Sequence, residues 1–206
     1  MIFPRLTLRR TVAAALLLAP AVVSAQGPMS TATTAVGTND PFWEISVNSG
    51  TFYDAFVLDR PVGTTDPQWI GASATGTLQG GSADQDFHRF LYSFRTMFIG
   101  TSGMSVTYRC ARDDEFFSVY LNGEPVVGAT CPLYDLSSSY TISSGFNNGS
   151  NTLQFNIGGN GVTDGLNVDV TDVTVPSSGV PEPASIVLFA SGLIGIAVVG
   201  RSRRKV

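Results

Sequence analysis

Between residues 41 and 175 apolar and polar positions alternate along the chain. In "PFWEISV" Trp43, Ile45 and Val47 share one face, and in "RFLYSFRTMF" Phe90, Tyr92, Phe94 and Phe98 do so. The same phase runs through Met104, Val106, Tyr108 and Cys110, then Phe117, Val119 and Leu121, then Leu153, Phe155 and Ile157. Period two is the signature of strands with one buried face, and no stretch of the body sustains the 3.6-residue period of a helix. Leu166, Val168 and Val170 are in phase, whereas Val173 and Val175 are one step out, which predicts a bulge or bend between Val170 and Val173. Trp43 and Trp69 are expected in the core, while adjacent Phe52 and Tyr53 cannot both point inward from an extended chain. Strands of this spacing, separated by Gly, Asn and Asp turns, predict an all-β fold: a single antiparallel jelly-roll β-sandwich over 41–175.

The two ends read differently. "MIFPRLTLRR" carries Arg5, Arg9 and Arg10, an apolar run follows, and Val23-Ser24-Ala25 offers small residues for cleavage. That is the layout of a secretory signal peptide over 1–25, cut by signal peptidase after Ala25, with an uncleaved anchor as the alternative. Residues 184–200 form an uncharged run of 17 residues, the short limit for a transmembrane helix. Arg201, Arg203, Arg204 and Lys205 follow as a basic stop that stays on the cytoplasmic side. Pro181 and Pro183 keep that helix from extending backwards. The small polar stretch 26–40 is expected to be a flexible lead-in, and 176–180 an exit linker.

Charge separates the ends from the body. Of twelve basic residues seven lie at the termini, so 26–180 keeps five Arg and no Lys against fifteen acids, near −10. Such a body is unsuited to nucleic acid or anionic membranes, which call for basic patches.

Candidate chemistry is sparse. Cys110 and Cys131 are the only cysteines, and in an exported chain they are expected to form a disulfide closing a loop of about 20 residues. His88 is alone, so no multi-histidine metal site can form, and it is expected on a half-exposed strand. "GTSGM" around Ser102 has its residues in the wrong order for a nucleophile elbow. Asp113 and Asp114 (with Glu115), or Asp84 with Asp86, could offer oxygen ligands to a structural calcium; a solvated turn is the simpler reading. Neighbouring strand residues point to opposite faces, so Asp113 and Asp114 are no catalytic pair by themselves. No catalytic residue is assigned and no cofactor is required. "GGNGVTDG" (158–165) is expected to be a hairpin loop.

Two resemblances add to this reading. Val180-Pro181-Glu182-Pro183, the short apolar helix and the Arg-rich end, over 180–206, resemble the PEP-CTERM sorting signal of Gram-negative bacteria. The resemblance implies processing by an exosortase at the inner membrane, then a place at the cell surface or in an exopolysaccharide or biofilm matrix. The body resembles the galactose-binding-like jelly roll. The matching positions are Tyr92, Phe94, Thr96 and Phe98; Asp113 and Asp114; Leu121, Asn122 and Gly123; and Phe146, Gly149, Asn151 and Leu153. That resemblance implies the fold, with sugar binding common in the family and a structural calcium in some members. The expected function is a non-enzymatic, exosortase-processed surface or matrix protein. A carbohydrate-binding module is the alternative, and a glycoside hydrolase ranks last.

Overall fold

A computed structural model describes residues 25–59 and 69–176 of the chain. The expected signal peptide up to Ser24, the helix 184–200, the motif Val180–Pro183 and the basic stop lie outside the described residues.

The described residues are all-β and antiparallel. Their ten strands are β1 (Asn39–Val47), β2 (Tyr53–Val57), β3 (Ile70–Gly71), β4 (Phe90–Gly100), β5 (Ser105–Asp113), β6 (Glu115–Leu121), β7 (Glu124–Pro125), β8 (Ser139–Ile142), β9 (Gly149–Gly159) and β10 (Gly165–Thr174). They form one sheet in the order β7-β6-β9-β4-β1-β2-β3-β10-β5-β8. The sheet curls over on itself, so the two layers of the jelly roll are joined through the short strands β2 and β3. Tyr108 on β5 meets Phe155 on β9 across the interior, ring centroids 5.3 Å apart and planes at 86°. Edge-to-face contact suits the ring quadrupoles.

The alternation places the core as expected. Trp43, Ile45, Phe94, Met104, Val106, Tyr108, Leu153, Phe155, Ile157, Leu166 and Val168 are all buried. Trp69 is buried too, in a smaller cluster with Leu58, Ala111 and Leu136. The phase slip on β10 is a register shift between Val170 and Asp172. Val173 still packs against the core beyond it, while Val175 is exposed. A second register shift lies on β6 between Phe116 and Ser118. The turn between β6 and β7 is Asn122-Gly123, both with positive φ, +55° and +86°. Two such residues twist a two-residue hairpin to match its strands, and asparagine and glycine adopt that conformation most readily. The loop between β9 and β10 is no hairpin: β9 pairs with β4 and β6, β10 with β3 and β5, so residues 160–164 cross between layers.

The lead-in 26–40 is a correction. Its residues are small and polar, but it is bonded into the sandwich rather than free. Gln26 N donates to Ile99 O at 2.8 Å, Trp43 Nε1 to Met29 O at 3.0 Å, and Ala32 N to the buried Asp40 carboxylate at 2.6 Å. Strand β3 covers β10 only at Leu166, leaving backbone groups further along β10 without a strand beside them. Ser30 and Thr31 fill that place: Ser30 Oγ accepts from Val170 N and Thr31 Oγ1 from Val168 N, each at 3.0 Å.

Candidate functional site

The residues with candidate chemistry separate into three places. The first is the cysteine pair. Cys110 and Cys131 form the expected disulfide, with Cα atoms 5.1 Å apart and a sequence separation of 21. It ties β5 to the segment after β7.

The second place is an acidic cluster where β5 passes into β6. Asp113 is buried rather than in a solvated turn, and Tyr134 donates its hydroxyl to Asp113 Oδ1. The Asp113–Asp114 peptide bond is cis. The sequence reading missed the third member, Asp164, which the crossing loop brings back 50 residues after Asp114. Asp164 is buried; its Oδ2 accepts from Tyr92 Oη at 2.5 Å and from Gly161 N at 2.7 Å. Gly159 makes room for it, since a Cβ there would stand 2.3 Å from the Asp164 carboxylate. Asp114 lies against both other carboxyls. Burial, then the neighbouring Asp113 and Asp164, push its carboxyl up to about 7. Burial raises Asp164 as well. Burial and like charge both oppose ionisation here. Arg112 stands alongside with its guanidinium bonded to the Asp114 carbonyl, and burial lowers its affinity for its proton.

Calcium takes six to eight oxygens. In this cluster Asp164 Oδ1 is the buried oxygen without a hydrogen-bond partner, while Tyr134, Tyr92 and Gly161 already occupy its neighbours. Among the described residues no three acidic, histidine or cysteine side chains are disposed to hold a metal. The other acidic pair, Asp84 and Asp86, shares one counter-ion, Arg89, which bonds Asp84 and stands 3.7 Å from Asp86. His88 is exposed in the turn before β4 and not on a strand.

The third place is the outer face of β1, β4, β9 and β6. Register lines up polar side chains there in rows across the strands. One row reads Glu44, Arg95, Gln154, Tyr120. Its neighbour reads Ser46, Ser93, Asn156, Ser118. Arg95 Nε donates to Glu44 Oε2 at 2.7 Å and its guanidinium lies 3.6 Å over the Phe52 ring, so its charge is answered on both sides. Gln154 Nε2 donates to Asn156 Oδ1 at 2.9 Å. A cavity of about 420 Å³ opens over the serine row, bounded by His88, Leu91 and Tyr120. Phe52 is half-buried under Arg95 and Tyr53 is exposed, so this pair offers no bare aromatic platform.

With the site in view, known proteins add one decisive match. Residues 179–205 match the PEP-CTERM protein-sorting motif. The chain carries a PEP-CTERM sorting signal. The match extends one residue upstream of the segment expected from Val180 onward. No curated protein matches the chain as a whole.

Among solved structures, a family 35 carbohydrate-binding module from an environmental isolate is similar at 11% identity and TM-score 0.36, over 64% of this chain and 96% of the module. A β-glucosidase from Kluyveromyces marxianus is similar at 10% identity and TM-score 0.29, over 63% of this chain and 14% of the enzyme. The GH31 α-xylosidase of Xanthomonas citri is similar at 9% identity and TM-score 0.31, over 70% and 16%. The chain thus spans a small part of either glycosidase. Likenesses this distant assign no ligand or activity here.

Proposed function

We propose that the protein is a non-enzymatic, exported surface or extracellular-matrix protein whose C-terminal tail is an address removed by an exosortase. The observation that carries this reading is the PEP-CTERM match at 179–205. Signal peptidase cuts after Ala25 and the precursor stays anchored in the inner membrane of a Gram-negative cell by 184–200. A permanent anchor needs only an apolar run and a basic stop. Two prolines around Glu182 hold that tripeptide out of the helix, where a membrane enzyme can read it. The mature body is released to the surface, in association with exopolysaccharide.

The buried acidic cluster supports a non-enzymatic reading. A glycosidase needs two carboxyls about 5–9.5 Å apart with a sugar between them. Asp114 and Asp164 instead meet directly, with burial the leading influence on both. The body works without a cofactor. A second reading, a carbohydrate-binding module, is favoured by the uncharged serine and asparagine row on the outer face.

The test is the mass of the body-tagged protein in the native host, with and without the exosortase gene. Loss of everything beyond the Pro-Glu-Pro region in the wild type alone is the expected result. Protein ending at Val206 in both strains refutes the processing.

A further inference from the structure

We infer that the outer face of β1, β4, β9 and β6 is a groove for a neutral polysaccharide, laid across the strands over Ser93, Asn156 and Ser118. This inference rests on the carbohydrate reading above and gives that reading a site and a ligand charge.

Shape comes first. Ser93 pairs with Asn156, and Asn156 with Ser118, so three short polar side chains stand side by side on adjacent strands. Longer side chains flank that row, except at β9 on the Leu91 side, where Gly158 stands. Leu91 precedes Ser93 on the same face and is 46% exposed. Arg95 and Tyr120 occupy the row beyond, paired through Gln154. The short row between them is a trough whose Leu91 side opens at Gly158, and the 420 Å³ cavity lies in it. Three adjacent strands at about 4.8 Å spacing give the open row a length of roughly 10 Å, since Ser46 on β1 is buried. Ser49 lines it toward β1. With Ser49 extending it, that length suits adjoining units of an extended polymer.

Chemistry decides the occupant. Serine hydroxyls and the Asn156 and Gln154 amides can both donate and accept. A sugar hydroxyl does the same, so such a row can follow a chain of hydroxyls without demanding one charge. The bonds already present leave capacity: Asn156 accepts from Gln154 at 2.9 Å and reaches Ser118 Oγ only at 3.4 Å. Leu91 and the Tyr120 ring supply the apolar surface that the C–H face of a sugar ring needs, and aromatic residues with a polar tip suit a half-wet site.

Charge removes the main rival. Arg95 is already paired with Glu44, and Arg89 with Asp84 and Asp86. Among the described residues no unpaired arginine therefore faces the trough, His88 stands at its rim, and the body around it is near −10. A carboxylated or sulfated polymer would meet repulsion from this surface with no arginine to offset it.

The experiment is affinity electrophoresis of the exported protein in gels containing dextran, hydroxyethyl cellulose, alginate, or polysaccharide extracted from the producing bacterium. Ser118→Trp fills the trough, Asn156→Ala removes its central amide, and Thr141→Trp places the same bulk on the opposite layer. Matching melting midpoints establish that each variant is folded. The expected result is retardation by a neutral polymer, abolished by Ser118→Trp, weakened about tenfold by Asn156→Ala and unchanged by Thr141→Trp. Retardation that survives Ser118→Trp overturns the inference, as does a preference for alginate or the absence of retardation in every gel. None of those outcomes alters the mass of the processed protein, so failure of the groove is distinguishable from failure of the exosortase reading.

Discussion

Thr31 and Val168 lie 137 residues apart in sequence and are joined by three hydrogen bonds. Thr31 N donates to Val168 O at 2.9 Å, Val168 N donates to Thr31 Oγ1 at 3.0 Å, and the Thr31 hydroxyl returns a bond to Val168 O at 3.3 Å. Both residues are buried, so water cannot replace a lost partner. The segment after the expected signal cleavage point is therefore part of the fold.

Thr31→Val keeps the shape of the side chain and removes its oxygen. Val168 N is then left buried without an acceptor, which costs about 1–3 kcal/mol. A lower urea midpoint with an unchanged slope is the expected outcome. An unchanged midpoint contradicts the anchoring role of Thr31.

The disulfide gives a second prediction. Cys110 and Cys131 close a loop of 21 residues, and the chain-entropy account puts such a bridge at about 3 kcal/mol. Replacing both cysteines by serine should lower the melting temperature by several degrees, and reduction of the wild type should do the same. Exported protein in which both thiols react with an alkylating reagent before reduction would contradict the bridge.

Much of this fold was legible because one face of each strand is buried. Trp43 with Ile45, Tyr92 with Phe94, and Leu153 with Phe155 and Ile157 reveal their inward faces by alternation alone. The same logic exposed the slip after Val170, since a bulge moves later side chains to the other face. What remained hidden depends on pairing between distant segments. Nothing local says that Ser30 and Thr31 stand in for a strand beside β10. Asp164 sits in a Gly-rich loop and joins Asp113 and Asp114 only because the chain crosses between layers there. The trough has the same cause: Ser93, Asn156 and Ser118 line up only once β4, β9 and β6 are in register. One signal for the acidic cluster was present, the small residues Gly158, Gly159, Gly161 and Gly165 around Asp164.

Gly159 tests that signal. A Cβ at this position would meet the Asp164 carboxylate at 2.3 Å, far inside contact distance. Gly159→Ala must displace either the carboxylate or the backbone of β9, at a cost of about 1–3 kcal/mol. Pairing it with Asp164→Ala relieves the clash. The double variant should therefore lose less stability than the sum of the two single ones, by chemical denaturation. Strict additivity contradicts direct contact.

The acidic cluster also sets a pH dependence whose sign can be worked out. Asp114 has an ordinary carboxyl value of 3.8 in the unfolded chain and is pushed up to about 7 in the fold, chiefly by burial. Asp164 is shifted the same way, again chiefly by burial. Between those values the folded state holds a proton that the unfolded chain has released. Stability linked to this group is therefore fully present below about pH 4 and is lost as the pH rises through about 7. Asp114 is partly exposed, and allowing for solvent screening the change is roughly 1–2 kcal/mol. The unlike partners facing the cluster, Arg112 beside Asp114 and Tyr92 on Asp164, keep their charge states across that window and do not reverse the sign. The wild type should melt at a lower temperature near pH 8 than near pH 5. Asp114→Asn, which cannot ionise and keeps the size of the side chain, should remove most of that difference. If the two proteins lose stability in parallel over this range, protonation of Asp114 is not what makes the fold pH-dependent there.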